Sequence, residues 1–214
     1  MTAADTVDIA VLAERIVRAA AARPRVLVGI DGPGAAGKST LAGQLAAAIP
    51  SAHVVHVDDF YLPSSQRTER RGAVGPLFDL PRLADQVAIP GAAGAALRYQ
   101  RYDWTKDALV EWIQVPAGAS LIVEGVYCLE LKLRACYTFT VFCQAEPALR
   151  LARGLQRDGE ELRDQWVNEW MPAENEYMAL QRPDRFAQLV VDSSVVDSSV
   201  IDDDVETVFR VAGV

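Results

Sequence analysis

One octapeptide constrains this chain more than any other feature: Gly32-Pro33-Gly34-Ala35-Ala36-Gly37-Lys38-Ser39 fits the phosphate-binding pattern G-x-x-x-x-G-K-[ST]. Ahead of it, Arg25 to Ile30 is a short apolar run with β-branched residues, a buried-strand pattern. Behind it, Leu41, Leu45, Ala48 and Ile49 recur at helical spacing. A strand, a glycine loop and a helix in that order form the context the pattern needs. Glycine lets the backbone approach a ligand closely, and the first turn of the helix offers unpaired N–H groups and the positive end of its dipole. Gly32, Gly34, Ala35, Ala36, Gly37, Lys38, Ser39 and Thr40 are therefore expected to hold the phosphates of a nucleotide. Lys38 would reach the β- and γ-phosphates, and the Ser39 hydroxyl would ligate Mg²⁺.

With 214 residues, half of them hydrophobic, the chain can bury the core of one α/β domain. A formal charge of −8 argues against a nucleic-acid polymer as partner, because such binding depends on neutralising phosphates with Lys and Arg. Cys128, Cys136 and Cys143 lack the spacing of a zinc site or a disulfide framework and read as small core residues in a reducing compartment. No run approaches 18 apolar residues, so no membrane span is expected. These features predict a soluble cytoplasmic protein, and they are compatible with a homo-oligomer.

Further along, Ile9, Leu12, Ile16 and Val17 mark an amphipathic helix capped by Asp5 or Thr6 and ended by Pro24. Ala52 to Val57 predicts a second buried strand, delivering Asp58-Asp59 at its carboxyl end. His53 and His56 read as packed or partly exposed strand residues. Residues 61–77 form a long loop, and Phe78-Asp79-Leu80-Pro81 opens a short helix closed by Pro90-Gly91, with Asp79 a candidate N-cap. The aromatic stretch from Ala96 to Val115 predicts a β-hairpin beside the main sheet.

Ser120 to Gly125 and Thr138 to Cys143 are two more buried strands, the first ending on Glu124. Residues 146–180 turn helical, interrupted at Gly154 and Gly159 and broken near Pro172. Phe186 to Val191 reads as a last strand before the repeated Val-Asp-Ser-Ser-Val tract, and Val205 to Val214 as a return to the sheet. The sum is a doubly wound, mostly parallel sheet flanked by helices in one domain over residues 1–214. Residues 61–115 would form an acceptor-binding insertion with its hairpin, and residues 150–180 a helical lid.

A nucleotide loop alone does not say what is done with the nucleotide. The guanine-reading N-K-x-D element and the L-S-G-G-Q signature of transporter ATPases are both absent. The chain instead supplies two carboxylate-tipped strands and an Arg-rich helix. Phosphoryl transfer needs a proton acceptor at the attacking hydroxyl, an oriented metal and positive charge over the moving group. Asp58 fits the first and also lies near the metal, Glu124 fits the second, and Arg153 with Arg157 fits the third.

These residues resemble the uridine kinase and phosphoribulokinase-like branch of P-loop small-molecule kinases. The resemblance rests on Asp31 to Thr40, His56 to Tyr61, Phe78-Asp79, Tyr102-Asp103-Trp104, Ile122 to Val126 and Arg150 to Asp158, in the family's order over residues 25 to about 160. It implies ATP as donor, Mg²⁺, and a small-molecule acceptor with a nucleoside as first guess. It also implies Asp58 as general base, Tyr61, Asp79 and Tyr102 in the acceptor pocket, Glu124 near the metal, and Arg153 and Arg157 as lid arginines. Two departures stand out. Thr105-Lys106-Asp107 follows the Tyr-Asp-aromatic piece where the family carries a base-reading His, and Gly154 occupies a position where a further lid Arg is common. A kinase for another alcohol, such as pantothenate or a sugar, and a non-catalytic nucleotide-binding regulator are the alternatives.

Overall fold

Leu27–Asp31 forms β1, buried along its whole length, as expected of a strand covered on both faces of a parallel sheet. The computed structural model describes residues 6–67, 74–194 and 209–212. In chain order, α1 (Ile9–Ala19) precedes β1, and α2 (Lys38–Ala48), β2 (Ala52–His56) and a 3-10 turn at Val57–Phe60 follow it. Then come α3 (Leu80–Leu83), α4 (Ile89–Ala92), β3 (Leu97–Asp103), β4 (Ala108–Val115), β5 (Ser120–Glu124) and β6 (Phe139–Gln144). The chain continues through α5 (Pro147–Asp158), α6 (Arg163–Gln165), α7 (Met171–Gln181), α8 (Pro183–Phe186), β7 (Leu189–Asp192) and β8 (Arg210–Val211).

The main sheet has the order β2-β5-β1-β6-β7-β8, with β3 and β4 paired separately as an antiparallel hairpin. Only β8 runs antiparallel to its neighbour. Side chains alternate across the sheet. Leu27, Leu121 and Val123 pack with Leu83, Val87, Tyr99 and Tyr177 on one face. Val28, Ile30 and Ile122 pack with Leu12, Ile16, Leu41 and Leu45 on the other. This is the doubly wound architecture that strands alternating with helices imply, and it brings the ends of β1, β2 and β5 to one edge.

Several sequence expectations need correction. The α1 cap is Asp8, whose carboxylate accepts from Val11 N–H at 3.1 Å. Thr6 instead forms an isolated bridge to Arg210, and Asp5 lies outside the described residues. Val17 turns outward at 43% exposure, while Leu12, Ala13 and Ile16 are the buried stripe. Pro90-Gly91 does not end the third helical segment, nor does Pro172 break the later one. In each case a π turn, Ala84–Ala88 or Trp166–Trp170, precedes the proline and keeps the helix continuous. A proline in a regular helix loses an N–H and presses on the carbonyl four residues back; the wider i→i+5 turn, closed by Met171 N–H to the Trp166 carbonyl, relieves that crowding.

The last long strand starts at Leu189, because Pro183–Phe186 is a helical turn. Val191 to Ser194 of the first Val-Asp-Ser-Ser-Val copy complete β7 and its exit, and Val195 with the second copy lies outside the described residues. So do Arg70, Arg71 and Gly72 of the long loop. Of the closing stretch, Arg210–Val211 does rejoin the sheet.

Candidate active site

The loop after β1 closes on Gly37, which adopts a left-handed φ of 84° as the N-cap of α2. A cap without a side chain leaves the N–H groups of the first helical turn open to an external anion. Lys38 is buried and its ammonium donates to the Pro33 carbonyl at 2.8 Å, so its charge is held over the loop. Ser39 and Thr40 are exposed at the start of α2.

Below the loop sits a fully buried carboxylate. Asp31 accepts from Gly32 N–H at 2.6 Å, Leu129 N–H at 2.7 Å and the Tyr177 hydroxyl at 2.6 Å. Burial pushes its pKa up, and those three hydrogen bonds oppose the shift. Three donors on one buried acid satisfy it and tie α7 and the segment after β5 to the base of the loop.

Glu124 ends β5, the strand beside β1, and is 4% exposed. Its Oε1 accepts from the Ser39 hydroxyl at 3.1 Å and lies 2.5 Å from His56 Nδ1. Burial works against the Glu124 charge, but the bond from His56 and the positive field of Lys38 and His56 outweigh it, and the net shift is downward. Glu124 in turn raises the His56 imidazole, chiefly through that hydrogen bond. His56 is a partly exposed residue of β2, as the sequence predicts, and the structure adds that it is Glu124's direct register partner across β2 and β5.

Asp58 and Asp59 separate clearly. Asp59 is 6% exposed and pairs with Arg101 at 3.3 Å, while its backbone carbonyl accepts from Arg82 at 2.9 Å. Asp58 is exposed. Desolvation by the surrounding protein and the nearby Glu124 charge raise it, against Lys38, Arg157 and His56. Of the two, Asp58 is the exposed carboxylate and the one that feels the charges of both Lys38 and Glu124.

On the other side of the hairpin, Tyr61, Phe78, Tyr102 and Trp104 cluster, with ring centroids 4.4 Å apart for Tyr61 and Trp104 and 4.9 Å for Tyr61 and Phe78. Arg67 lies 4.7 Å over the Tyr61 ring. The Tyr102 hydroxyl donates to Asp107 at 2.6 Å and accepts from Arg67 at 3.2 Å. Asp107, standing near the expected histidine, also accepts from the Ser64 hydroxyl and from Ser64 N–H at 2.9 Å, and these bonds with that from Tyr102 hold its pKa down at about 2. Asp79 is an N-cap in fact: its carboxylate accepts from Arg82 N–H at 3.1 Å.

The predicted lid arginines diverge. Arg157 forms a two-pronged pair with Asp158 at 2.6 and 2.9 Å, and its charge reaches Asp58. Arg153 turns away, donating to the Ser193 hydroxyl at 3.0 Å and carbonyl at 2.9 Å; the buried Ser193 hydroxyl donates to the Ala36 carbonyl of the loop. Gly154 does not interrupt α5. It gives room to Trp166, whose ring a Cβ there would meet at 2.5 Å. Trp166 also packs against Gly34 and donates to Asp158 at 3.2 Å, so an indole fills the space where a further lid arginine was expected.

The donor set fits Mg²⁺. Ser39 and Glu124 supply hard oxygens from two elements, and no group of three or more His, Cys, Asp or Glu among the described residues forms a dedicated cage. Mg²⁺ typically takes one or two protein carboxylates and completes its shell with water and phosphate.

No family model matches the sequence. Among curated proteins the chain is similar to inorganic pyrophosphatase TTM1 of Arabidopsis thaliana, 26% identical over 147 residues, which is 64% of this chain and 22% of that protein. It is also similar to uridine-cytidine kinase C of Dictyostelium discoideum, 26% identical over 111 residues, 51% of this chain and 24% of that one. The chain therefore spans a quarter or less of the length of these relatives. Among solved structures it matches one described as a possible uridine kinase from Bacillus stearothermophilus, with a TM-score of 0.66 and 23% identity, over 85% of this chain and 96% of that one. A kinase of Silicibacter sp. TM1040, provisionally assigned to a fructose transport system, matches with a TM-score of 0.63 and 23% identity, over 85% and 95% of the two chains. The fold is that of the uridine-kinase-like P-loop kinases. Among the described residues, no helix is long and apolar enough to cross a membrane.

Proposed function

We propose that the chain is an ATP- and Mg²⁺-dependent kinase that moves a phosphoryl group to a hydroxyl of a small metabolite, with a nucleoside as the first acceptor to test. The observation that carries this reading is the arrangement around Glu124: one buried carboxylate joins the Ser39 hydroxyl of the loop to His56, and Asp58 stands close enough to feel its charge.

In this reading the loop N–H groups and Lys38 bind the donor phosphates, and Ser39 and Glu124 hold the Mg²⁺, which supplies charge neutralisation when bound. His56 keeps Glu124 ionised and oriented. Asp58 accepts the proton of the attacking hydroxyl, a role that its raised pKa suits better than that of an ordinary surface aspartate. Arg157, freed from Asp158, brings positive charge toward the transferring group. Tyr61, Tyr102 and the rings around them give the acceptor an aromatic wall, with Asp79 at its edge. Asp107 in place of a histidine changes the polar group available there from a switchable donor to a fixed acceptor, which disfavours a pyrimidine read by that histidine and leaves other ring-bearing alcohols in play.

The test is ADP formation from ATP across a panel of nucleosides, sugars and pantothenate, with pyrophosphate hydrolysis as a separate arm because two curated relatives carry the name inorganic pyrophosphatase. ADP released only with an acceptor supports the kinase. Pyrophosphate cleavage without any acceptor-dependent ADP contradicts it.

A further inference from the structure

A cavity of about 570 Å³ lies beside Pro33, on the β6 side of the loop, whereas Glu124 and Asp58 lie on the β5 and β2 side. Phe142, Met178 and Pro147 give it apolar walls, and Arg150 and Arg182 line it with Asp184. Arg182 and Asp184 pair with each other at 2.9 Å. Arg150 is different. It is 2% exposed, its Nε has no hydrogen-bond partner, and its nearest acid, Glu174 Oε2, is 3.8 Å away and itself has no donor. A buried guanidinium with unfilled donors is costly unless an acceptor completes it. The cavity wall is where such an acceptor has room to sit.

Glu174 is the second half of the observation. Its other oxygen, Oε1, accepts from Gly34 N–H of the phosphate loop at 3.0 Å, so one buried carboxylate spans the loop and Arg150. The contact with the loop is not visible in sequence, since Gly34 and Glu174 are 140 residues apart.

We propose that this cavity is a second ligand site, taking a small organic or inorganic oxyanion through a carboxylate or phosphate group at Arg150, and that its occupancy is passed to the phosphate loop through Glu174. An anion on Arg150 removes the positive charge that Glu174 faces. The Glu174 carboxylate then stands uncompensated beside Gly34 and Lys38, and nucleotide binding weakens. By reciprocity, nucleotide weakens the anion by the same factor. This coupling rests on the reading of the loop as a nucleotide site, while the anion site itself does not.

The experiment uses methyl-labelled methionine in the full chain, where Met178 lines the cavity and Met1 and Met171 serve as references. With the loop saturated by a non-hydrolysable ATP analogue, inorganic phosphate and malonate are titrated separately, which distinguishes the phosphate from the carboxylate source. The expected result is a saturable Met178 shift with at least one probe, weakened about tenfold or more in Arg150→Gln and reduced in the rim variant Arg182→Gln, which tests the site even if Arg150→Gln does not fold. The nucleotide dissociation constant should rise to a plateau with the same probe, and Glu174→Gln should remove that rise while keeping the Met178 shift. No Met178 shift with either probe overturns the site. A shift caused by the nucleotide analogue and unchanged by both probes makes the cavity part of the nucleotide site and also overturns it. A nucleotide constant that climbs without a plateau shows simple competition at the loop and overturns the coupling.

Discussion

His56 Nδ1 and Glu124 Oε1 stand 2.5 Å apart as register partners on neighbouring parallel strands, and the same oxygen accepts from Ser39. A carboxylate at the tip of β5 is thereby linked to the phosphate loop on one side and to the segment bearing Asp58 on the other. Three strand ends that the sheet order brings together form one electrostatic unit.

Glu124→Gln should loosen that unit without unfolding the sheet. The amide keeps the shape and can still bond Ser39, but it loses the charge that raises His56. Turnover should fall and its Mg²⁺ requirement should shift to higher concentration, while the His56 ring, followed by NMR, titrates lower than in the wild type. An unchanged His56 titration contradicts the pairing.

The pair also makes stability depend on pH. His56 is raised in the folded state above its ordinary value of about 6.5. The stabilisation it provides is complete below that ordinary value and is lost as pH rises through the higher folded value. The stability difference between wild type and His56→Asn, measured by denaturant at a series of pH values, should therefore narrow from mildly acidic to alkaline conditions. A difference that stays constant or widens contradicts the assignment.

Lys38→Ala removes the buried ammonium over the loop. Loss of about 3–4 kcal/mol of transition-state stabilisation predicts a turnover roughly a hundred to a thousand times lower. Steady-state kinetics on the purified variant check this, and near wild-type turnover would remove Lys38 from the chemistry.

Tyr177→Phe takes one of three donors from the fully buried Asp31. The cost should be about 1–3 kcal/mol in denaturant unfolding, because the carboxylate is left short of a partner where water has no access. A cost well below that range would mean that the α7 tether contributes little.

The loop, the succession of buried strands along the chain and the places of Asp58 and Glu124 after β2 and at the end of β5 were legible because each is local: a glycine-rich pattern, and apolar runs of five or six residues leading to an acid. The hairpin was legible for the same reason. His56 was not, because its role comes from register across β2 and β5. Glu174 and Tyr177 reach the loop from more than 130 residues away, and no pattern at either end announces the contact. Prolines misled where π turns absorb them at Trp166–Trp170 and Ala84–Ala88. The bonds from Arg153 to Ser193 were not legible either, because the two residues are 40 positions apart.

In the proposed transfer from ATP, Asp58 and not its neighbour Asp59 takes the proton. ADP formation with the best acceptor from the panel, measured in Asp58→Asn and Asp59→Asn beside the wild type, separates the two. Asp58→Asn should still bind ATP but transfer about a hundred to ten thousand times more slowly. Asp59→Asn should keep much of its turnover and lose stability through its broken pair with Arg101. Rapid transfer by Asp58→Asn, with Asp59→Asn as the folded but silent variant, would contradict the role of Asp58.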